Sequence, residues 1–291
     1  DGVLRFDPQW PKLEAMSADL VFAGRSMRVD VQRGLTGGAR ILSAQAVLPD
    51  LTHPELEIKG RAQADTAVGI AYLRATPLAK DADGFLAQLK AAGPAQVDLQ
   101  LNLPLHDLRH THVDGQASWQ DARMVLPGFP LEFDRIHGIL KFDEKHFESA
   151  GLQAALDGYP VQVKVSPIKL ARSEGMLPTQ ITAEGRITSR TLTQKLRIFS
   201  DDVFAGVAGW KAIVDIGGEH PGWRVSSNLR GMAVDLPAGY AKKAAQSVPL
   251  EVNSEPGEDL IVRVRYRQDL HALLAFADDG LRRADLYFGD G

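Results

Sequence analysis

No cysteine occurs in the 291 residues. That excludes a disulfide scaffold, a thiolate metal site and a cysteine nucleophile. Neither sign of charge is in large excess: 33 Lys+Arg stand against 37 Asp+Glu, a formal net charge of −4. The basic surplus of a dedicated nucleic-acid binder is therefore missing. Long hydrophobic runs are also missing. The longest stretches without a charged residue, Ile41–Pro49 and Gly175–Ala183, are nine residues each, whereas a membrane-spanning helix needs about 20 apolar residues. No signal peptide opens the chain. It begins at Asp1 without an initiator Met and reads as a piece cut from a longer protein, with a processed chain as the alternative. Aromatic residues make up only 7%. What is present, 44% hydrophobic residues in a balanced background of charge, is enough for a folded chain of one or two domains and too apolar for disorder.

The dominant pattern is alternation. Val97-Asp98-Leu99-Gln100-Leu101-Asn102-Leu103 alternates apolar and polar without a fault, and the same period recurs in Val29–Gln32, Leu56–Lys59, Leu140–Asp143, Val161–Val165, Val234–Leu236, Leu250–Asn253 and Val262–Arg267. Period two marks a strand with one buried face. Turn signals such as Thr36-Gly37-Gly38, Asp114-Gly115 and Asp157-Gly158-Tyr159-Pro160 punctuate these runs, mostly 8–15 residues apart. That spacing suits hairpins and is too short for crossover helices. The expected fold is mainly β: an elongated, curved antiparallel sheet with one apolar and one polar face, forming a hydrophobic groove, with a few short helices. Those helices are expected over Asp83–Ala92 and Asp269–Asp279, with Ala238–Gln246 as either a helix or a loop. A weak repeat of the hairpin grammar, in pattern more than in letters, supports one continuous segment over 1–291. Lys169–Pro178 is the best candidate for a long loop.

Residues bearing chemistry are sparse. His106, His110 and His112 have a spacing that two strand histidines at i, i+2 use for zinc, but the position after the Leu103-Pro104-Leu105 strand end favours an exposed turn. Asp201-Asp202 and Asp278-Asp279 are adjacent carboxylates. Neighbours on a strand point to opposite faces, so they make poor acid–base pairs. Arg263, Arg265 and Arg267 share one face of a strand, with Arg282-Arg283 nearby. They suit phosphate contact and, more simply, a solvated face. Trp10, Trp119, Trp210 and Trp223 stand near strand ends as core anchors. No nucleophile elbow, zinc-protease motif, phosphate loop or dinucleotide fingerprint occurs. No catalytic group, metal or cofactor is expected.

Several segments, taken in order, carry a resemblance. They are Trp10–Gly24, Ala46–Leu51, Leu56–Gly60, Thr76-Pro77-Leu78, Leu99–Leu105, Gly138–Phe142, Leu152–Val161, Trp223-Arg224-Val225 and Gly231–Pro237. This order resembles an internal portion of the YhdP-type members of the AsmA-like family of Gram-negative envelope proteins. The resemblance implies a slice of a bridge-like lipid transfer protein built of repeating β-groove units. It also implies a periplasmic segment of an inner-membrane-anchored protein, which touches the inner and outer membranes through other parts of its chain and moves phospholipids between them. Phospholipid acyl chains would be the partner, with no nucleic acid.

The physical logic agrees. Exposing acyl chains to water costs about 0.8 kcal/mol per CH₂, and every second residue of a sheet supplies the shielding surface. The expected lipid-contacting positions are Leu20, Phe22, Val29, Val31, Leu56, Ile58, Val97, Leu99, Leu101, Leu103, Leu140, Phe142, Val161, Val163, Val165, Val234, Leu236, Val262 and Val264. In the alternative, a β-rich envelope scaffold, the same positions are packed core with no cargo.

Overall fold

The computed structural model describes residues 2–5, 10–76, 83–107, 110–125, 131–168, 177–196, 202–217, 222–237, 239–255, 260–277 and 280–289. These residues form nineteen strands, hydrogen-bonded into one sheet, and three helices. All the pairings described below are antiparallel. Two compact units divide the chain: Asp1–Met124 with Arg135–Leu152 and Lys169–Leu177, and Val125–Asp134 with Gln153–Ile168 and Pro178–Gly291.

The first unit begins with β1 (Gly2–Leu4), β2 (Leu13–Ala23), β3 (Ser26–Thr36), β4 (Ala39–Leu48) and β5 (Glu55–Asp65). Helices α1 (Thr66–Arg74) and α2 (Asp83–Gln88) follow, then β6 (Lys90–Ala92), β7 (Pro94–Pro104) and β8 (His112–Val125). Strands β9 (Glu132–Asp143) and β10 (Phe147–Leu156) contribute residues to both units. Pairing runs β2 to β3 to β4 to β5 and then to β7, because the helical excursion returns the chain beside β5. Alternation predicts β7 well: its full length pairs with β5, residue for residue, from Glu55↔Pro104 to Asp65↔Pro94.

Helix α1 is absent from the alternating pattern, yet its start is written locally. Asp65 caps it, accepting from the Ala67 N–H at 2.9 Å with one oxygen and from the Gly93 N–H at 2.9 Å with the other. One carboxylate thus fixes both the helix start and the strand return. Asp65→Ala should cost about 1–2 kcal/mol in urea unfolding, with Asp65→Asn recovering part of it through its amide oxygen. The helix packs against the turn between β3 and β4, where a Cβ on Gly37 would stand 2.7 Å from the Tyr72 ring.

The second unit holds β11 (Tyr159–Pro167), β12 (Thr179–Thr188), helix α3 (Ser189–Leu196), β13 (Phe204–Ile216), β14 (Gly222–Ser227) and β15 (Met232–Val234). It ends with β16 (Leu250–Glu255), β17 (Leu260–Tyr266), β18 (Leu270–Ala277) and β19 (Gly280–Phe288). Here α3 is capped by the Thr188 hydroxyl, which accepts from the Thr191 N–H at 3.1 Å. β14 pairs directly with β16, Ser227 opposite Leu250. The chain between β14 and β16 is therefore an excursion from that ladder, spanning 228–237 and 239–249 among the described residues, and within it β15 pairs with the start of β13. We call this excursion the strap.

Two helix expectations need correction. The helix over Asp83–Ala92 ends at Gln88, and Lys90–Ala92 is β6. Leu270–Ala277 is a strand. Leu270, Leu273, Leu274 and Ala277 satisfy helical spacing, but Leu270, Ala272, Leu274 and Phe276 satisfy period two, and pairing on both sides with β17 and β19 decides the matter. Context of this kind overrides a weak local preference. Within Ala238–Gln246 the described residues are loop, with Lys242 bridged to Val234. The long loop expected at Lys169–Pro178, apart from its last two residues, lies outside the described residues, as do Asp201, Asp278 and Asp279.

Candidate lipid-contacting face

Register aligns the alternating residues of successive strands into rows that cross them. In the first unit one row runs Leu20, Val29, Ala46, Ile58, Leu101, Val113. Its neighbour runs Ala18, Val31, Ala44, Gly60, Leu99, Gly115, and a further row takes Ile41, Ala62, Val97, Ala117. Leu56 stands opposite Leu103 in the same face. Residues between these positions face the other way: Asp19, Asp30, Gln45, Lys59, Gln100 and Asp114 form a polar row. The Arg28 guanidinium, 2.7 Å from Asp30, and the Gln45 amide hold the Asp30 carboxyl below the usual carboxylate range.

Leu140 and Phe142 lie on β9 in the first unit. The Phe142 ring lies against Gly115, where a Cβ would come within 2.4 Å of its ring carbons. The glycine is thus the slot for the ring.

The second unit repeats the device over eight strands: Val163, Ala183, Ala212, Val225, Val252, Val264, Ala272, Leu286. Beside it run Val165, Ile181, Val214 and Trp223 on the first strands, and Ser254, Val262, Leu274 and Ala284 on the later ones. On the opposite face Gln162, Glu184, Lys211, Ser226, Glu251, Arg265 and His271 form the polar row.

Burial differs along these rows. Leu20 and Phe22 are 56% and 61% exposed, Val29, Ala46 and Ile58 are half-buried, and Leu101 and Val113 are buried. In the second unit Val163, Val225, Val252, Val264 and Ala272 are half-buried and Leu286 is 61% exposed. Two clusters cover the remainder. Leu131, Leu156 and Val161 pack with Phe133 and Trp210. Ala208, Leu229, Met232, Val234, Val248 and Tyr266 pack with Leu236, Tyr240 and Leu250. Val234 and Leu236 therefore belong to the strap that covers the face, and Val161 lies beneath side chains. Alternation carries no signal for that distinction.

The strap is pinned by close contacts. Gly206 and Gly231 sit at φ of 115° and 97°, and a Cβ on either would stand under 2.5 Å from a backbone carbonyl oxygen. Lys242 is buried, and its Nζ donates to the carbonyl oxygens of Leu229, at 2.8 Å, and Met232. Both acceptors are neutral, and desolvation pushes the ammonium pKa down.

The polar candidates are spread over loops and the polar face. His110 turns to Asp107 at 3.1 Å and His112 to Glu144 at 3.4 Å, while His106 is exposed. Among the described residues no group of three or more His, Asp or Glu has metal-holding geometry. Arg265 pairs with Glu251 at 2.7 Å, and Arg267 donates to the Gly239 carbonyl. Trp119 and Trp210 sit on the apolar faces of the two units, opposite Ala95 and Gly185. No helix among the described residues is long and apolar enough to cross a membrane.

Over 260 residues, 85% of this chain, it is 24% identical to the intermembrane phospholipid transporter YhdP of Escherichia coli strain K12. The chain spans 19% of that relative's length. No solved structure matches it. The model of the YhdP protein family matches residues 1–291 from end to end, and the chain belongs to that family.

Proposed function

We propose that this segment holds phospholipid acyl chains along the apolar faces of its two units, as a periplasmic part of an inner-membrane-anchored protein that moves phospholipids between the inner and outer membranes. The role is non-enzymatic. The observation that carries this reading is the half-open state of the apolar rows. A sheet face whose valines and leucines are aligned over six to eight strands yet left partly exposed is costly for a protein with nothing to place on it, at about 25 cal/mol per Å² of apolar surface. Acyl chains cover such a face without any directional contact. The likeness to a phospholipid transporter and the family membership support the same cargo.

The test is mass spectrometry of organic extracts of the chain, expressed in a Gram-negative envelope and purified without detergent. The expected result is phospholipid at near-stoichiometric and reproducible levels. Val264→Asp, which places a carboxylate on the half-open row, should remove most of it from a still-folded protein. Lipid no higher than on a control β protein would overturn the reading for this segment and leave the scaffold alternative.

A further inference from the structure

We propose that the strap narrows the apolar face of the second unit to a single file, so that this unit seats one hydrocarbon chain at a time. The proposal rests on the reading above and specifies its geometry. The file is the row Val225, Val252, Val264, Ala272, Leu286 on the later strands. Its members are half-buried or exposed. The rows on both sides contain closed positions. On one side Val262 and Leu274 are 6% and 8% exposed. On the other Tyr266 is 6% exposed, held in the strap's cluster with Leu250 and Leu270 packed beside it. The strap reaches this side through Tyr240, whose carbonyl accepts from the Tyr266 hydroxyl at 2.8 Å and whose ring meets Phe288 at 5.5 Å.

Neighbouring rows on one face of a sheet lie about 6.8 Å apart, two residues along the strand. Carbon atoms in contact pack at about 4 Å. Where the file crosses β17 at Val264, between the closed positions Val262 and Tyr266, it therefore admits one hydrocarbon chain side-on, and a second chain beside it there meets side chains already packed. The first unit differs over β3 to β5: there Val29, Ala46 and Ile58 in one row and Val31, Ala44 and Gly60 in the next are all half-buried. A two-chain lipid would then place its chains differently on the two units.

Because the chain has no cysteine, single cysteines report alone. The experiment compares maleimide labelling rates of Val252→Cys and Ala272→Cys (file), Val262→Cys and Leu274→Cys (flank) and Val31→Cys (first unit), each with and without oleate. Circular dichroism checks that each variant is folded. File thiols are expected to react at least tenfold faster than flank thiols and to be slowed at least tenfold by oleate. Flank thiols reacting as fast as file thiols would overturn the single file. So would oleate that protects Val31→Cys and leaves both file thiols unchanged, although lipid holding itself would stand. Oleate that protects none of the five would overturn lipid holding as well.

Discussion

Gly231→Ala is expected to destabilise the protein by about 3–5 kcal/mol, among the largest effects a single methyl group produces. Two costs combine. At φ of 97° an L-residue is strained, and the new Cβ would stand 2.4 Å from the Val207 carbonyl oxygen. That atom belongs to backbone and cannot rotate away. Gly206 meets Gly231 from the other side, so Gly206→Ala should act alike, and the pair should be far from additive because both changes push apart the same two segments. Hydrogen exchange separates this from general unfolding. Amides of the strap, including Lys242 and Val248, should lose protection first, while the β3–β4 ladder in the first unit keeps its own. Equal loss across both units would refute the assignment of the effect to the strap junction.

Leu101→Asp and Val264→Asp should behave very differently, although both residues alternate faultlessly in the sequence. Leu101 is 7% exposed, between Ile58 and Val113. A carboxylate there loses its hydration without a partner and should cost about 3–5 kcal/mol or stay protonated. Sign follows from linkage. A folded-state pKa raised by burial means that the variant regains stability as pH falls through that raised value, toward the ordinary carboxylate range. Val264 is half-buried on the open file, and its aspartate keeps water, so a cost of about 1 kcal/mol is expected together with loss of bound lipid. Urea midpoints of the two variants at pH 5 and pH 8 check both statements. Equal destabilisation at the two sites would mean that both faces are closed core.

That contrast marks the limit of what the sequence can say. Alternation located the strands because a half-buried strand must alternate: Val97–Leu103 falls in β7 as expected, and of the expected run Val262–Arg267 all but Arg267, which opens the turn after the strand, falls in β17. It also located the apolar face, since register preserves period two across each ladder. It could not say which parts of the face are covered. Val161 and Val163 are equivalent in the pattern, yet Val161 is fully buried inside the cluster with Leu131 and Leu156, whereas Val163 packs at that cluster's edge and is half-buried. Leu270–Ala277 satisfied both periods, and only its two neighbours resolved them. α1 and α3 are short, and their caps, Asp65 and Thr188, were the signals available; a cap without a long apolar stripe is easily passed over. The strap was invisible as such because its function depends on what it returns to cover.

The rows cross the strands, so distance along a row is counted in strands. Each strand added to the ladder lengthens the apolar track by roughly 4.8 Å and leaves its width unchanged, since width is set by strand length and by what covers the flanks. Reach and selectivity are thus separate variables in this architecture. On the proposed function, duplicating a hairpin would extend the track without altering what fits on it, whereas a change in one excursion such as 228–249 would alter what fits without changing the reach.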